Sequence, residues 1–262
     1  MKLGIETAGS GDALVFLHGW ALNSRVWDGI APVLMRDFTV VRIDLPGHGA
    51  SPWPPEFADL TSLAAVLAPA LPEHCTLVGW SLGGVAAMAL ALTLRERIGR
   101  LVLVGSTPRF MRGEDWPHGL AGPVVERFAA LLEADYEATV REFLGLQVKD
   151  DEHARSTLRE LRMKLVAGGA PRLEALRAGL SILRNVDLRE RLPQLAVPTL
   201  VMAGENDRMT PPGAARALAA AIPGARLELL ARAGHAPFLS HAGEFCRILG
   251  EFLGRAARAT GS

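Results

Sequence analysis

The chain has little that would commit it to an unusual environment. It contains two cysteines, Cys75 and Cys246, in 262 residues. Cys75 stands at the start of a probable strand and Cys246 in a C-terminal amphipathic pattern, so core packing is expected of both, without a disulfide. No charge of either sign is in excess, with Lys+Arg and Asp+Glu both 28. That leaves no global field for nucleic acid or a membrane surface. The most apolar run, Val85 to Leu92, is far too short to span a bilayer. The first residues, Met1-Lys2-Leu3-Gly4-Ile5-Glu6, lack the apolar centre of a signal peptide. A soluble, cytoplasmic, monomeric protein is expected. Repeats and low-complexity tracts are missing. His74, His118, His153 and His241 have no metal-ligand spacing, and no phosphate-binding glycine loop occurs. No cofactor and no metal are expected. Arg258 to Ser262 should fray.

What is present is an alternation of short apolar runs and helical patterns. Strands are expected over 2–8, 13–17, 39–43, from Cys75 to Val78, 101–104, 198–204 and 226–230. Helical stretches are expected near Val26 to Leu34, Leu60 to Leu71, Leu82 to Leu94, 212–222 and 241–256. The alternation argues an α/β fold with a mostly parallel, doubly wound sheet. Residues 109–186 interrupt it with four helical periodicities, around Val124 to Leu132, Val140 to Val148, Leu158 to Leu165 and Leu173 to Leu183. The expected division is a core of 1–108 and 187–262 with a helical lid, 109–186, over the carboxyl edge of the sheet.

Gly79-Trp80-Ser81-Leu82-Gly83 reads G-x-S-x-G between a strand and a helix. Such an elbow lifts a serine hydroxyl above the sheet and aims the first helical N–H groups at whatever it attacks. The bland alternative is an ordinary helix N-cap. A serine needs a base and an orienting acid. His235 follows the last strand, and Asp207 follows the strand before it. The order Ser81, Asp207, His235 is that of hydrolases with this elbow. Asp207 could instead cap a helix, His235 could be a plain loop residue, and Glu205 and Asp187 are rival acids. The oxyanion donors would be the backbone N–H groups of Leu82 and of Trp20, the latter after His18-Gly19. Trp20 and Trp80 could wall an acyl pocket, although core packing is the alternative for Trp80. His18 and His48 should brace loops.

On His18-Gly19, Asp44-Leu45-Pro46-Gly47-His48-Gly49, Gly79-Trp80-Ser81-Leu82-Gly83-Gly84, Gly204-Glu205-Asn206-Asp207 and Gly234-His235 the chain resembles the α/β-hydrolase superfamily over essentially its whole length. More narrowly it resembles the pimeloyl-[acyl-carrier protein] methyl ester esterase family of biotin synthesis. That likeness rests on Leu17-His18-Gly19-Trp20 with Asn23 and Trp27, Asp115-Trp116-Pro117, Phe143-Leu144-Gly145-Leu146-Gln147, Gly179-Leu180-Ser181-Ile182-Leu183, and His235-Ala236-Pro237-Phe238 with His241. Gly204-Glu205-Asn206-Asp207 is common to the wider superfamily and does not favour this family. The resemblance implies a serine carboxylesterase acting on a carrier-bound methyl ester, with side activity on short-chain esters. Substrate contacts would carry over to Trp20, Ser81, Leu82, His235 and the run Phe143, Leu144, Gly145, Leu146 and Gln147. Hydrolysis of another small ester, a lactone, a thioester or a C–C bond, or a non-catalytic receptor role, are the rival readings.

The lid is also electrically divided. Glu114 to Glu152 holds 10 acidic and 3 basic residues, a net of −7, and His153 to Arg184 holds 7 basic and 2 acidic, a net of +5. Arg155, Arg159 and Arg162 recur at helical spacing opposite Leu158, Leu161 and Leu165. Alone, that is most simply a solvated face. Beside the resemblance it reads as a docking stripe for an acidic acyl-carrier protein.

Overall fold

The computed structural model describes residues 2–54 and 59–254. The expected fraying of Arg258 to Ser262, and the end of the helix expected over 241–256, lie outside them. Seven strands, β1 (Ile5–Gly9), β2 (Ala13–Leu17), β3 (Thr39–Ile43), β4 (Cys75–Trp80), β5 (Ile98–Val104), β6 (Thr199–Gly204) and β7 (Arg226–Leu230), form one sheet ordered β1-β3-β2-β4-β5-β6-β7. Only β1 runs antiparallel, against β3. The first strand starts later than its apolar pattern suggests, because it pairs Ile5 with Ile43 and Gly9 with Thr39. Its side chains stay at least partly exposed, as expected of an edge strand.

Helices α1 (Ala31–Leu34), α2 (Leu60–Leu67), α3 (Leu82–Thr93), α4 (Gly122–Ala134), α5 (Tyr136–Gln147), α6 (Ala154–Gly168), α7 (Leu173–Asn185), α8 (Pro212–Ala221), α9 (Pro237–Ser240) and α10 (Ala242–Phe252) complete the described residues. The pattern from Leu60 to Leu71 splits at Pro69, where the last turn tightens into a 3₁₀ helix. Asp59 starts α2 through a reciprocal cap with Ser62. Helix α3 is buried from Leu82 to Leu92. It lies on β4 and β5 beneath α2, which explains its lack of a polar stripe.

Helices α4 to α7 are inserted between β5 and β6. Each buries one stripe, Val125, Phe128 and Leu132 in α4 and Leu176, Leu180 and Leu183 in α7. The insertion is tied to the sheet side at several places. Asn23 Nδ2 donates to Lys164 O at 3.0 Å, and Lys164 Nζ reaches Asp28 at 3.0 Å. The residues leading into the insertion and out of it are joined by Arg109, Asp115, Asp187 and Arg189, with Arg189 2.6 Å from Asp115 and 2.7 Å from Asp187. No helix among the described residues is long and apolar enough to cross a membrane.

Candidate active site

Because β4, β6 and β7 run parallel, the residues after them emerge on one edge of the sheet. Ser81, Asp207 and His235 all lie there and are all buried. Ser81 sits at φ 54°, ψ −118°, a backbone conformation that costs a non-glycine residue of order 1–3 kcal/mol. Its backbone is clamped on both sides. The N–H donates to Val104 O at 3.0 Å, and the carbonyl accepts from Ser106 Oγ at 2.9 Å. The serine makes no side-chain capping bond to α3, so the N-cap alternative fails.

The α3 start and the loop after β2 meet in close contact. A Cβ on Gly83 would run into the carbonyls of Leu17 and His18, and one on Gly19 would press on the Trp80 ring and on Ser81. Leu82 is the first residue of α3 and its N–H has no intrahelical partner. This packing brings Gly19, the residue before Trp20, against the elbow.

Asp207 is held by three donors. Met209 N–H and Thr210 N–H reach Oδ1 at 2.8 and 2.9 Å, and Thr210 Oγ1 reaches Oδ2 at 2.8 Å. Oδ2 is also 2.7 Å from His235 Nδ1. The acid therefore shapes its own turn and faces the imidazole. The rivals Glu205 and Asp187 are exposed, and Asp187 is taken by Arg109 and Arg189. With Nδ1–H directed at Asp207, Nε2 carries the lone pair that a base needs. Nε2 is buried and has no hydrogen-bond partner among the described residues.

The sequence did not announce what holds His235. Trp80 Nε1 donates to His235 O at 2.8 Å, and its ring packs against the imidazole and edge-on to Phe238, with centroids 5.6 and 5.0 Å away. Trp80 is buried beneath His235 and supports its loop, the core-packing alternative for this residue. Its pleat faces the β7 loop. The insertion supplies the remaining supports: Gln147 O accepts His235 N–H at 3.0 Å, and the buried Asp151 carboxylate accepts Gly234 N–H at 2.6 Å. Asn206 Nδ2 donates to Asp150 O at 2.7 Å, next to the triad acid. The turn after α5 therefore grips both loops that carry Asp207 and His235.

The insertion closes over an apolar cavity of about 20 Å³, whose lining includes Trp20 but none of Ser81, Leu82, Asp207 and His235, roughly the space of one or two waters. Trp20, Val125, Phe128, Phe143, Leu180 and Met209 contribute to its lining. Trp20 is anchored there by Nε1 donating to Leu176 O at 2.8 Å and by an edge contact with Phe143 at 4.7 Å. Of the expected run, Phe143 faces the cavity. Leu144 and Gln147 are buried, while Gly145 and Leu146 are partly exposed, and none of these four lines it. Helical rotation allows only one residue in three or four onto a given face. Phe128 was visible only as a periodic apolar position, whereas Leu180 and Leu183 also stand in the run Gly179 to Leu183 that carries the resemblance.

His18 and His48 are structural. Leu45 N–H donates to His18 Nε2 at 2.9 Å, so Nδ1–H donates to Gly19 O at 2.8 Å. Burial lowers the pKa of His18, and burial followed by the neighbouring His18 lowers that of His48 to about 3. Both stay neutral in the fold, while the unfolded chain takes up protons below about pH 6.5. Their stabilisation is thus complete above that pH and is lost as pH falls towards the folded-state values. Between pH 6.5 and 5 the unfolding free energy should drop by up to about 1.4 kcal/mol per pH unit for each histidine. Urea unfolding at stepped pH measures this, and a flat profile would contradict the neutral assignment.

The chain belongs to the alpha/beta hydrolase fold family, whose pattern matches residues 12–242. Within it stand relatives of one particular kind. The pimeloyl-[acyl-carrier protein] methyl ester esterase of Aeromonas hydrophila subsp. hydrophila is 42% identical over 255 residues, covering 97% of this chain and 100% of its own. The protein of the same name from Nitrosomonas europaea is 44% identical, covering 92% of this chain and 95% of its own. Among solved structures, an esterase from Exiguobacterium antarcticum superposes with a TM-score of 0.88 at 26% identity, covering 96% of this chain and 95% of that one.

Proposed function

We propose that this chain is a serine carboxylesterase that hydrolyses the methyl ester of pimeloyl-[acyl-carrier protein], giving the free carboxylate and methanol in biotin synthesis. The observation that carries the reading is the buried Asp207–His235 pair, on the same sheet edge as the Ser81 elbow, in a chain alike to these esterases from end to end. We assign Ser81 Oγ as the nucleophile on the ester carbonyl and His235 Nε2 as the acceptor of its proton. Asp207 holds the imidazole tautomer and steadies the imidazolium. The N–H groups of Trp20 and Leu82 receive the charge that develops on the carbonyl oxygen. Collapse of that intermediate breaks the bond to the methoxy oxygen, and His235 returns the proton to the departing methanol. A water, deprotonated by His235, then cleaves the acyl-enzyme, and the serine recovers its proton.

Residues 109–186 act as the lid on a core of 1–108 and 187–262. The cavity wall is wholly apolar, which suits a methylene chain and disfavours a carboxylate left there unpaired.

The charge of the lid is resolved by its pairing. On α7, Arg177 meets Glu133 and Arg184 meets Glu126, and just before that helix Arg172 meets Glu174. Arg155, Arg159 and Arg162 are exposed on α6, and among the described residues no ion pair engages them. Three cations without internal partners on one exposed face suit the acidic surface of a carrier protein. Such a stripe acts mainly on association rate. Reversing all three to Glu should lower kcat/KM for the carrier-bound ester about tenfold or more at low salt. The gap should narrow as ionic strength rises, with p-nitrophenyl acetate hydrolysis unchanged. Equal losses on both substrates would refute the docking role.

A further inference from the structure

The lid and the core meet at a second cluster of chemically capable side chains, away from the cavity. Glu152 and His153 precede α6, and His241 lies between α9 and α10. One donor atom from each falls within 4.8 Å of the others. The two imidazoles are 5.3 Å apart centre to centre, and His241 Nε2 is 3.8 Å from Glu152 Oε2.

Neighbours already orient these atoms. Ser240 Oγ lies 2.8 Å from His241 Nδ1, and its hydrogen points to Ala236 O at 3.5 Å. The hydroxyl thus engages Nδ1, and Nε2 is the nitrogen turned to Glu152. A hydrogen bond from the non-ligating nitrogen is how metal-binding imidazoles are fixed. Arg232 Nη1 takes Glu152 Oε1 at 2.9 Å, which leaves Oε2 for the histidine side. His153 N–H donates to Asp151 Oδ1 at 2.7 Å, anchoring the backbone from which the second ring projects.

We propose that Glu152, His153 and His241 bind one divalent transition-metal ion, of which zinc is the type. Two imidazoles and a carboxylate are a zinc ligand set that leaves a fourth position for water. The mixed nitrogen and oxygen donors disfavour calcium and magnesium, which seek six or more oxygens. Ligand atoms about 2 Å from the ion lie roughly 3.3 Å apart at tetrahedral angles, so the exposed Glu152 and His153 side chains must close in on the mostly buried His241 ring. The ion has no part in the ester chemistry. It pins the start of α6 to the core, one residue from the Asp151 carboxylate that holds Gly234. Only the native fold brings the three ligands together, so binding stabilises it.

The test is titration of the metal-free full-length protein with Zn²⁺ by calorimetry and by thermal melting, with Co²⁺ as the spectroscopic probe. Wild type should take up one equivalent, and its Tm should rise by about 5 °C or more at a free ion concentration a hundredfold above Kd. Bound Co²⁺ should develop the visible absorption of a four-coordinate ion. His153→Ala should weaken binding at least about tenfold and abolish the Tm rise, with p-nitrophenyl ester hydrolysis in metal-free buffer unchanged. Failure of wild type to bind one equivalent, or equally tight binding by His153→Ala, overturns the site. Neither result bears on the esterase reading, which is measured without metal.

Discussion

Ser81→Ala should abolish ester hydrolysis, with kcat falling about 10⁴- to 10⁶-fold, while the protein stays folded. Alanine keeps the Cβ that serine already carries at φ 54°, so no new backbone strain arises. The hydroxyl makes no capping bond to α3, so its removal leaves no orphaned helix donor that was previously satisfied. Clamping by Val104 O and Ser106 Oγ uses only the backbone of residue 81 and survives the change. Tm should therefore stay close to that of wild type. Had the serine been a simple N-cap, the signature would be the reverse: activity retained and stability lowered by about 1 kcal/mol, or roughly 2–4 °C in a protein of this size. Parallel assays with a short p-nitrophenyl ester and thermal melting separate the two.

Asp207→Asn should reduce kcat by about 10⁴-fold with little change in KM. The reason is a tautomer imposed by the surrounding donors. Oδ1 of residue 207 accepts the N–H groups of Met209 and Thr210, and only the amide oxygen of an asparagine can keep those bonds. The amide NH₂ then occupies the Oδ2 position, 2.7 Å from His235 Nδ1. Two donors cannot face each other there, so His235 must turn its Nδ1 lone pair to the amide and carry its proton on Nε2. An imidazole protonated at Nε2 cannot take the serine proton. Little area changes and the buried carboxylate becomes neutral, so Tm should hold. A variant retaining more than about a tenth of wild-type kcat would show that Asp207 does not orient the base.

Much of this machinery was legible in the chain because it follows topology. A parallel sheet sends the end of every strand to one edge, so an elbow serine, an acid after β6 and a histidine after β7 needed only their order to be associated. The helical periods between residues 122 and 185 were legible for the same reason, since each helix must bury one stripe. What the sequence concealed depends on how the insertion sits on the sheet. Gln147 was expected as a substrate contact, and Asp150 and Asp151 entered only in the acidic count of the insertion, yet they grip His235, Asn206 and Gly234. Trp80 read either as a pocket wall or as core packing, and the sequence could not show that its indole donates to the His235 carbonyl. The run from Phe143 to Gln147 matched as a block, although only Phe143 turns to the cavity. His153 and His241 had no ligand spacing, because their meeting depends on α6 lying over α9. Charge counting likewise could not separate the paired arginines near α7 from the unpaired stripe on α6.

Intact-mass spectrometry of pimeloyl-carrier methyl ester, incubated with wild-type or Ser81→Ala protein, tests the central claim most directly. Wild type should convert the carrier species to one lighter by a single CH₂, with methanol released and the acyl–carrier bond intact, and the serine variant should leave it unchanged. Loss of the whole acyl group from the carrier, or equal conversion by Ser81→Ala, would contradict the account.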